Sequence, residues 1–284
     1  MISMVGRSIR RWWGLFVLPT LLAFVVGFVV PFVMGVYLSF CRFTTVVDAR
    51  FVGLGNYAAA LSDKEFWHAM VYTVAFTVVT TLVINVCGFA VAYMLTKAIR
   101  GANVFRSVFF MPNLIGGIIL GYIWLLLLNG VLAHWGRSIT YSGVYGFWGM
   151  VLLYCWQQIG YMMIIYIAGL QALPGDVVEA ASVDGASGRQ ILFRITLPLM
   201  MPSITVCTFL TMTNGFKMFD QNLALTNGAP SNTSELLALN IYRTFYGRTG
   251  FEGVGQAKAV VFFVIVAVIA VVQNRLTTSR EVSA

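Results

Sequence analysis

The chain has 284 residues, of which 59% are hydrophobic and only 10% charged, with a formal net charge of +8 and a mean hydropathy of +0.84. Water-soluble domains carry about 25% charged residues, so this composition excludes a soluble globular fold and places the chain in a lipid bilayer. The basic excess is scattered over short loops beside apolar runs, which reads as a membrane-topology signal and not as a nucleic-acid surface.

Six apolar stretches are long enough to span a membrane, each needing about 20 residues. The first lies near Trp13–Phe40. It is too long for a signal-peptide core and lacks a small-residue cleavage site, so it is expected to stay as a span. The second runs near Ala69–Thr96 and the third near Phe105–Leu128. Met111-Pro112-Asn113-Leu114 predicts a kink near the start of the third, and its Gly117 and Gly121 permit close helix packing. The fourth, near Phe147–Leu170, holds the aromatic and amide cluster Trp156-Gln157-Gln158-Ile159-Gly160-Tyr161. The fifth, near Leu199–Leu223, has a polar outer half: Thr211, Thr213, Asn214, Lys217, Asp220 and Gln221. Lys217 and Asp220 are three apart, so they are expected to share a helix face and neutralise each other. The sixth lies near Val254–Gln273. The expected fold is all-α: a single polytopic membrane domain over 1–284 with six transmembrane helices.

An even number of spans puts both termini on one side. With that side cytoplasmic, the inside set is Arg7, Arg10, Arg11, Lys97, Arg100, Arg106, Arg189, Arg194, Arg275 and Arg280. The outside set is Arg42, Arg50, Lys64, Arg137, Arg243, Arg248 and Lys258. Ten inside against seven outside follows the positive-inside rule, and the reverse orientation breaks it.

Between spans four and five lies a polar-to-amphipathic island, 174–198. Pro174 and Asp176 suit a helix start, because proline fits a first turn and a carboxylate favours the positive end of the helix dipole. Gly185 sits where a left-handed stop is wanted. Ser187 followed by Gln190 has the spacing of a capping box, so a second short helix is expected there, with Ile191, Leu192 and Ile195 as its apolar face. Pro198 is expected to end that helix or kink it into the next span. The island is thus a helix–turn–helix outside the bilayer, and its small residues would let another surface approach closely.

The order Glu179-Ala180-Ala181, Asp184-Gly185-Ala186, then Phe193-x-x-Ile195-x-Leu197-Pro198-x-x-x-Pro202 resembles the coupling loop of ABC-importer permeases. The resemblance implies that Glu179, Ala180, Ala181, Asp184, Gly185, Ala186, Leu197 and Pro198 dock into a cleft on a cytoplasmic ATPase subunit, which would bind ATP and magnesium. The layout from span two through Phe219-Asp220 and Thr226-Asn227-Gly228-Ala229-Pro230 is similar to permeases of carbohydrate importers, of the larger maltose-permease type. Counted without gaps from Glu179, that family's sugar-contacting positions fall on Gln157, Gln158 and Tyr161, and on Thr211, Asn214, Gly215 and Met218. Tyr161 keeps the family residue and Thr211 keeps a hydroxyl. Gln157, Gln158, Asn214, Gly215 and Met218 depart, which argues against maltose itself while keeping a neutral, hydroxylated solute: rings stack on a sugar's apolar face and amides bridge its hydroxyls.

The chain shows no G-x-x-x-x-G-K-[ST] phosphate loop, G-x-S-x-G turn or H-E-x-x-H helix, so no catalytic residues are expected and energy must come from outside it. Cys41, Cys87, Cys155 and Cys207 stand singly without metal or redox spacing, and His68 and His134 read as isolated loop residues, so no metal site is expected. Asn232-Thr233-Ser234 formally fits a glycosylation acceptor. No internal repeat is visible, so completing a pore must fall to another subunit, which the resemblance implies is a second homologous permease. The resemblance adds two copies of the ATPase, an extracytoplasmic solute-binding protein and a bacterial inner membrane. An oligosaccharide is the expected cargo. The same architecture carrying glycerol 3-phosphate is the alternative, with Lys217 as the intramembrane cation it would need. A gradient-driven secondary carrier lacks the buried carboxylate relay and inverted repeat it would require.

Overall fold

The computed structural model describes residues 2–97 and 101–279. Arg100 and Arg280, and the side chains of Arg7, Arg10 and Arg11, lie outside the described residues. Apart from a two-residue hairpin, the described secondary structure is helical. Four helical segments, Trp12–Leu38, Lys64–Thr96, Gly143–Gln171 and Glu252–Thr278, are each long and apolar enough to cross a membrane. Two bent pairs, Ala102–Leu114 with Gly117–Ala133 and Gly188–Leu199 with Met201–Phe216, raise the number to six if each pair is one span. Helix is what the bilayer demands, since a backbone in hydrocarbon must bond to itself.

Contacts cluster into two compact units. The first comprises the residues up to Asp63 together with Ile241–Val261. It opens with α1 (Ile2–Phe24), a π-turn Val25–Val29 and α2 (Val30–Leu38). Strands β1 (Cys41–Arg42) and β2 (Arg50–Phe51) follow, antiparallel, with Cys41 opposite Phe51. The turn between them is held by Asp48, whose carboxylate accepts from the backbone N–H groups of Thr44 (3.0 Å) and Thr45 (2.8 Å). Those donors hold the Asp48 carboxyl below its usual pKa, Thr45 contributing most. Helix α3 (Gly55–Ser62) begins the return, and Asn56 Nδ2 bonds the carbonyls of Ser39 and Cys41 at 2.9 and 2.8 Å. Lys258 is buried here, 1% exposed, paired with Asp63 at 2.6 Å and donating to Thr244 at 2.8 Å. It therefore does not belong with the loop charges of the outside set, because its ammonium is consumed by a buried carboxylate and hydroxyl.

The second unit comprises Lys64–Asn240 and the residues from Phe262 onward. It contains α4 (Lys64–Thr96), α5 (Ala102–Phe110), a 3₁₀ turn Met111–Leu114, α6 (Gly117–Ala133) and α7 (Gly143–Gln171). After α7 come α8 (Gly175–Val183), α9 (Gly188–Ile191), a π-segment Leu192–Thr196, α10 (Leu197–Leu199), α11 (Met201–Phe216) and α12 (Asp220–Leu225). Helix α13 (Leu237–Gly247) and α14 (Glu252–Thr278) complete the chain order, each passing from one unit into the other. The core is the packing of α4 against α7, filled by Phe76, Ile84, Met150, Leu153, Met162 and Tyr166, all at most 1% exposed. Lipid tails are as apolar as these side chains, so packing density and internal hydrogen bonds, not water exclusion, hold the helices together.

Close approach is set by small residues. A methyl group on Gly121 would fall 2.6 Å from the Ala224 Cβ, and one on Gly117 would fall 2.7 Å from the Asp220 Cβ. The Gly117–Gly121 pair is thus the seat of α12. A Cβ at Gly160 would overlap the Phe109 carbonyl, so α7 meets the end of α5 backbone to backbone.

Two of the expected spans are broken, the third at the kink expected near its start. The apolar run 105–128 turns through 100° between Ala102–Leu114 and Gly117–Ala133. Pro112 offers no N–H, and Ile115 and Gly116 are extended, with ψ of 129° and 140°. The run 199–223 stops being helical at Phe216 and resumes at Asp220. Lys217 and Asp220 therefore do not share a helix face; both are exposed, and they form no ion pair with each other among the described residues. His68, read as a loop residue, lies on α4 and stacks on Tyr72.

Candidate functional site

The island 174–198 is built as follows. Helix α8 ends at Val183, and Gly185 takes φ = +78°. The Gly185 N–H bonds the Ser182 carbonyl at 3.2 Å and the Ala186 N–H bonds the Ala181 carbonyl at 2.9 Å, the two-bond closure of a glycine-stopped helix. Ser187 then caps α9: Gln190 Oε1 accepts from the Ser187 N–H at 2.8 Å, and the Gln190 N–H reaches Ser187 Oγ at 3.4 Å. Pro198 does not end this helix. The preceding π-segment widens the turn, so the missing N–H and the ring are tolerated, and the 68° bend falls at Met200–Met201 instead. Glu179, Ala180, Asp184 and Gly185 are exposed, while Ala181, Ala186, Leu197 and Pro198 are half-buried. Val183 is 86% and Phe193 58% exposed, two large apolar side chains held in the open beside them.

Of the seven expected solute residues, Gln157 and Gln158 bond toward the knee before α6 and toward α12, while Thr211 and Gly215 meet α4. Gln157 is buried and serves as an amide hub. Its Nε2 donates to the Ile115 carbonyl (3.2 Å) at the knee before α6, and its Oε1 accepts from Gln221 Nε2 (2.8 Å) on α12. Gln158 donates to Asn113 Oδ1 at 3.4 Å on the same knee. Tyr161 is half-buried and packs on the α4–α7 core. Thr211 is buried toward α4: its hydroxyl accepts from Asn85 Nδ2 (2.9 Å) and donates to the Cys207 carbonyl (2.8 Å). Asn85 also accepts from the Tyr166 hydroxyl at 2.6 Å. Gly215 lies against Thr77, also toward α4; Met218 is 3% exposed at the break after α11, and Asn214 is half-buried.

Of the polar residues of these networks, Asn85 carries no role in the sequence reading, Asn113 is read only as part of the kink, and Gln221 only as one of the polar residues of the fifth span. The signal for Asn85 in the sequence is that of a lone amide in the apolar helix α4, since an amide in hydrocarbon must find partners. Asn85 also lines a cavity of about 460 Å³, together with Thr77, Thr81, Thr208 and Met212. The cysteines are free, three of them buried, and no cluster of metal-ligating side chains occurs among the described residues.

Comparison with known proteins gives this geometry its context. The chain is 42% identical over 279 residues to the "Probable starch degradation products transport system permease protein" of Thermoanaerobacterium thermosulfurigenes, covering 95% of each chain. It is 30% identical over 291 residues to the "Multiple sugar-binding transport system permease protein" of Streptococcus mutans, covering 98% of this chain and 99% of that one. Its fold superposes with a TM-score of 0.81 on a chain from the crystal structure of a bacterial ABC transporter involved in the import of the acidic polysaccharide alginate, at 19% identity, with 97% of this chain and 99% of that chain covered. Residues 100–280, spanning both bent pairs, the helix–turn–helix and the amide hub, match the family described as "Binding-protein-dependent transport system inner membrane component", and the chain belongs to that family.

Proposed function

We propose that this chain is the membrane-spanning half of an ATP-driven importer for a neutral carbohydrate, an oligosaccharide by preference. Support comes from the sugar and starch-product transport named for its two relatives, each aligned over nearly its whole length. A second homologous permease would complete the pathway, two ATPase subunits would bind ATP and magnesium, and an extracytoplasmic protein would deliver the solute. Both termini and the helix–turn–helix would face the cytoplasm.

The observation that carries the coupling reading is the exposed loop itself. Val183 and Phe193 stand in solvent beside the small Ala180 and the carboxylate of Glu179. Apolar anchors next to a charge are what a protein partner recognises. ATP-driven closure of an ATPase pair would pull on this loop, and α9 through α11 would carry the movement to Thr211 and the Gln157 hub. Reconstituting the chain with its partner subunits and a sugar panel tests this. Glu179→Lys or Gly185→Leu is expected to abolish uptake and solute-stimulated ATP hydrolysis while leaving membrane insertion intact. Normal uptake by both variants rules out the loop assignment.

One observation keeps a second cargo in the same panel. Lys217 is exposed at the break after α11 and has no carboxylate partner among the described residues. Glycerol 3-phosphate would want that cation. Its uptake, lost in Lys217→Gln, would displace the carbohydrate reading.

A further inference from the structure

The β1–β2 hairpin sets two cations side by side with nothing to neutralise them. Arg42 and Arg50 are direct partners in the antiparallel register, so their side chains leave the same face of the hairpin. Both are exposed, whereas the next residue of the chain, Phe43, is buried. Like charges directly opposite each other destabilise a strand pair. Neither guanidinium makes an ion pair or a hydrogen bond among the described residues. Asp48 does not answer them: its Oδ1 is taken by the Thr44 and Thr45 N–H groups, and it pairs with neither arginine. Arg42, Arg50, Asp48, Thr44, Val52 and Gly250 line a cavity of about 500 Å³. Two guanidiniums against one carboxylate leave that lining with a single net positive charge.

The depth of the hairpin in the bilayer decides what meets that charge. The first span, Trp12–Leu38, has 27 residues. At a rise of about 1.5 Å per residue that is about 40 Å of helix, roughly the thickness of a bilayer with its headgroups. The chain therefore emerges at headgroup level after Leu38, and β1 begins at Cys41. The hairpin is fixed there: the Val52 N–H bonds the Phe40 carbonyl at 2.8 Å, and Asn56 holds the carbonyls of Ser39 and Cys41. Tyr37 is exposed, and Phe40 stacks on Phe51 and packs against Tyr57, with ring centroids 6.4 and 5.1 Å apart. Aromatic rings of this kind gather at the lipid–water boundary. We propose that the cavity is a phosphate site, filled by the headgroup of an anionic phospholipid in the leaflet opposite the N-terminus. Arg42 and Arg50 hold the phosphate oxygens between their planar forks, and the lipid's negative charge removes their mutual repulsion. A zwitterionic headgroup would bring an ammonium to a lining that is already positive.

Native mass spectrometry of the full-length chain in its transport complex tests this. The complex is stripped of lipid in detergent and titrated with phosphatidylglycerol or phosphatidylcholine. The expected result is saturable retention of phosphatidylglycerol in preference to phosphatidylcholine. Arg42→Gln and Arg50→Gln should each weaken that retention about tenfold, the size of one charge-assisted contact. Arg42→Lys, which keeps the charge but not the fork, should fall between wild type and Arg42→Gln. In the lipid-free complex neither glutamine variant should lower the thermal unfolding midpoint, because each removes a repulsion and no contact. A lowered midpoint would make the arginines structural and overturn the proposal. Equal retention of both lipids, or retention that neither glutamine variant changes, would mean ordinary boundary lipid and would overturn it too. So would displacement of the lipid by millimolar glycerol 3-phosphate, which assigns the cavity to a soluble phosphate ester. Failure to retain any phosphatidylglycerol would mean that another subunit covers the hairpin, with the same consequence.

Discussion

Asn222 is fully buried, and its amide holds the loop that follows α12. Nδ2 donates to the Ser234 carbonyl at 2.8 Å and to Thr226 Oγ1 at 2.9 Å, while Oδ1 accepts from the Leu236 N–H at 2.9 Å. Replacing it with leucine keeps the volume but strands a carbonyl and an N–H, each costing about 1–3 kcal/mol when left without a partner. Asn222→Leu is therefore expected to lower the thermal unfolding midpoint of the detergent-purified chain and to open the segment 227–236 to proteolysis. An unchanged midpoint would show that water or lipid satisfies those groups. Gln157 works in the same manner between the knee at Ile115 and α12. A residue expected to touch solute thus also ties together the two broken elements, so its substitution should alter rate and stability at once.

At the level of elements, glycine spacing decides which helices can meet. Helix α6 carries Gly117 and Gly121 on the face that receives α12, and Gly130 where nothing lies within 4 Å. The same substitution at two places on one helix then separates packing from propensity. Gly121→Leu should prevent α12 from docking and abolish a folded, monodisperse product in detergent, whereas Gly130→Leu should be tolerated. Comparable yields of both would mean that α12 can repack. Gly185 is governed by conformation instead, since no atom lies within 4 Å of its missing Cβ but its φ is +78°. A side chain there costs about 1–2 kcal/mol of backbone strain, enough to shift the angle between α8 and α9 without disturbing any span.

For the whole molecule, the orientation reading makes a direct prediction. In a chain whose four native cysteines are replaced, Ser187→Cys on the helix–turn–helix should react with a membrane-impermeant thiol reagent only from the cytoplasmic side. Ser231→Cys, in the loop after α12, should react only from the other side. Labelling of both from one side would remove the loop from reach of an ATPase and with it the coupling reading. Lys258 shows why charge counting alone is a blunt instrument here: its ammonium is buried against Asp63 and is no guide to which side a loop occupies.

Local chemistry was readable from residue order because it depends on near neighbours. The helical class follows from an apolar composition that leaves the backbone no partner but itself, and the Gly185 stop and the Ser187–Gln190 cap follow from rules that span a single turn. The kink at Pro112 was legible too, though not its 100° size, which depends on Ile115 and Gly116 turning extended so that Gln157 can hold the knee. Long-range partners were not legible. That Gln157 answers Gln221 and that Thr211 turns to Asn85 both require chain segments far apart in order to meet. Hydropathy treats an apolar run as one straight rod, whereas helix packing breaks it wherever proline and paired glycines let another backbone come close.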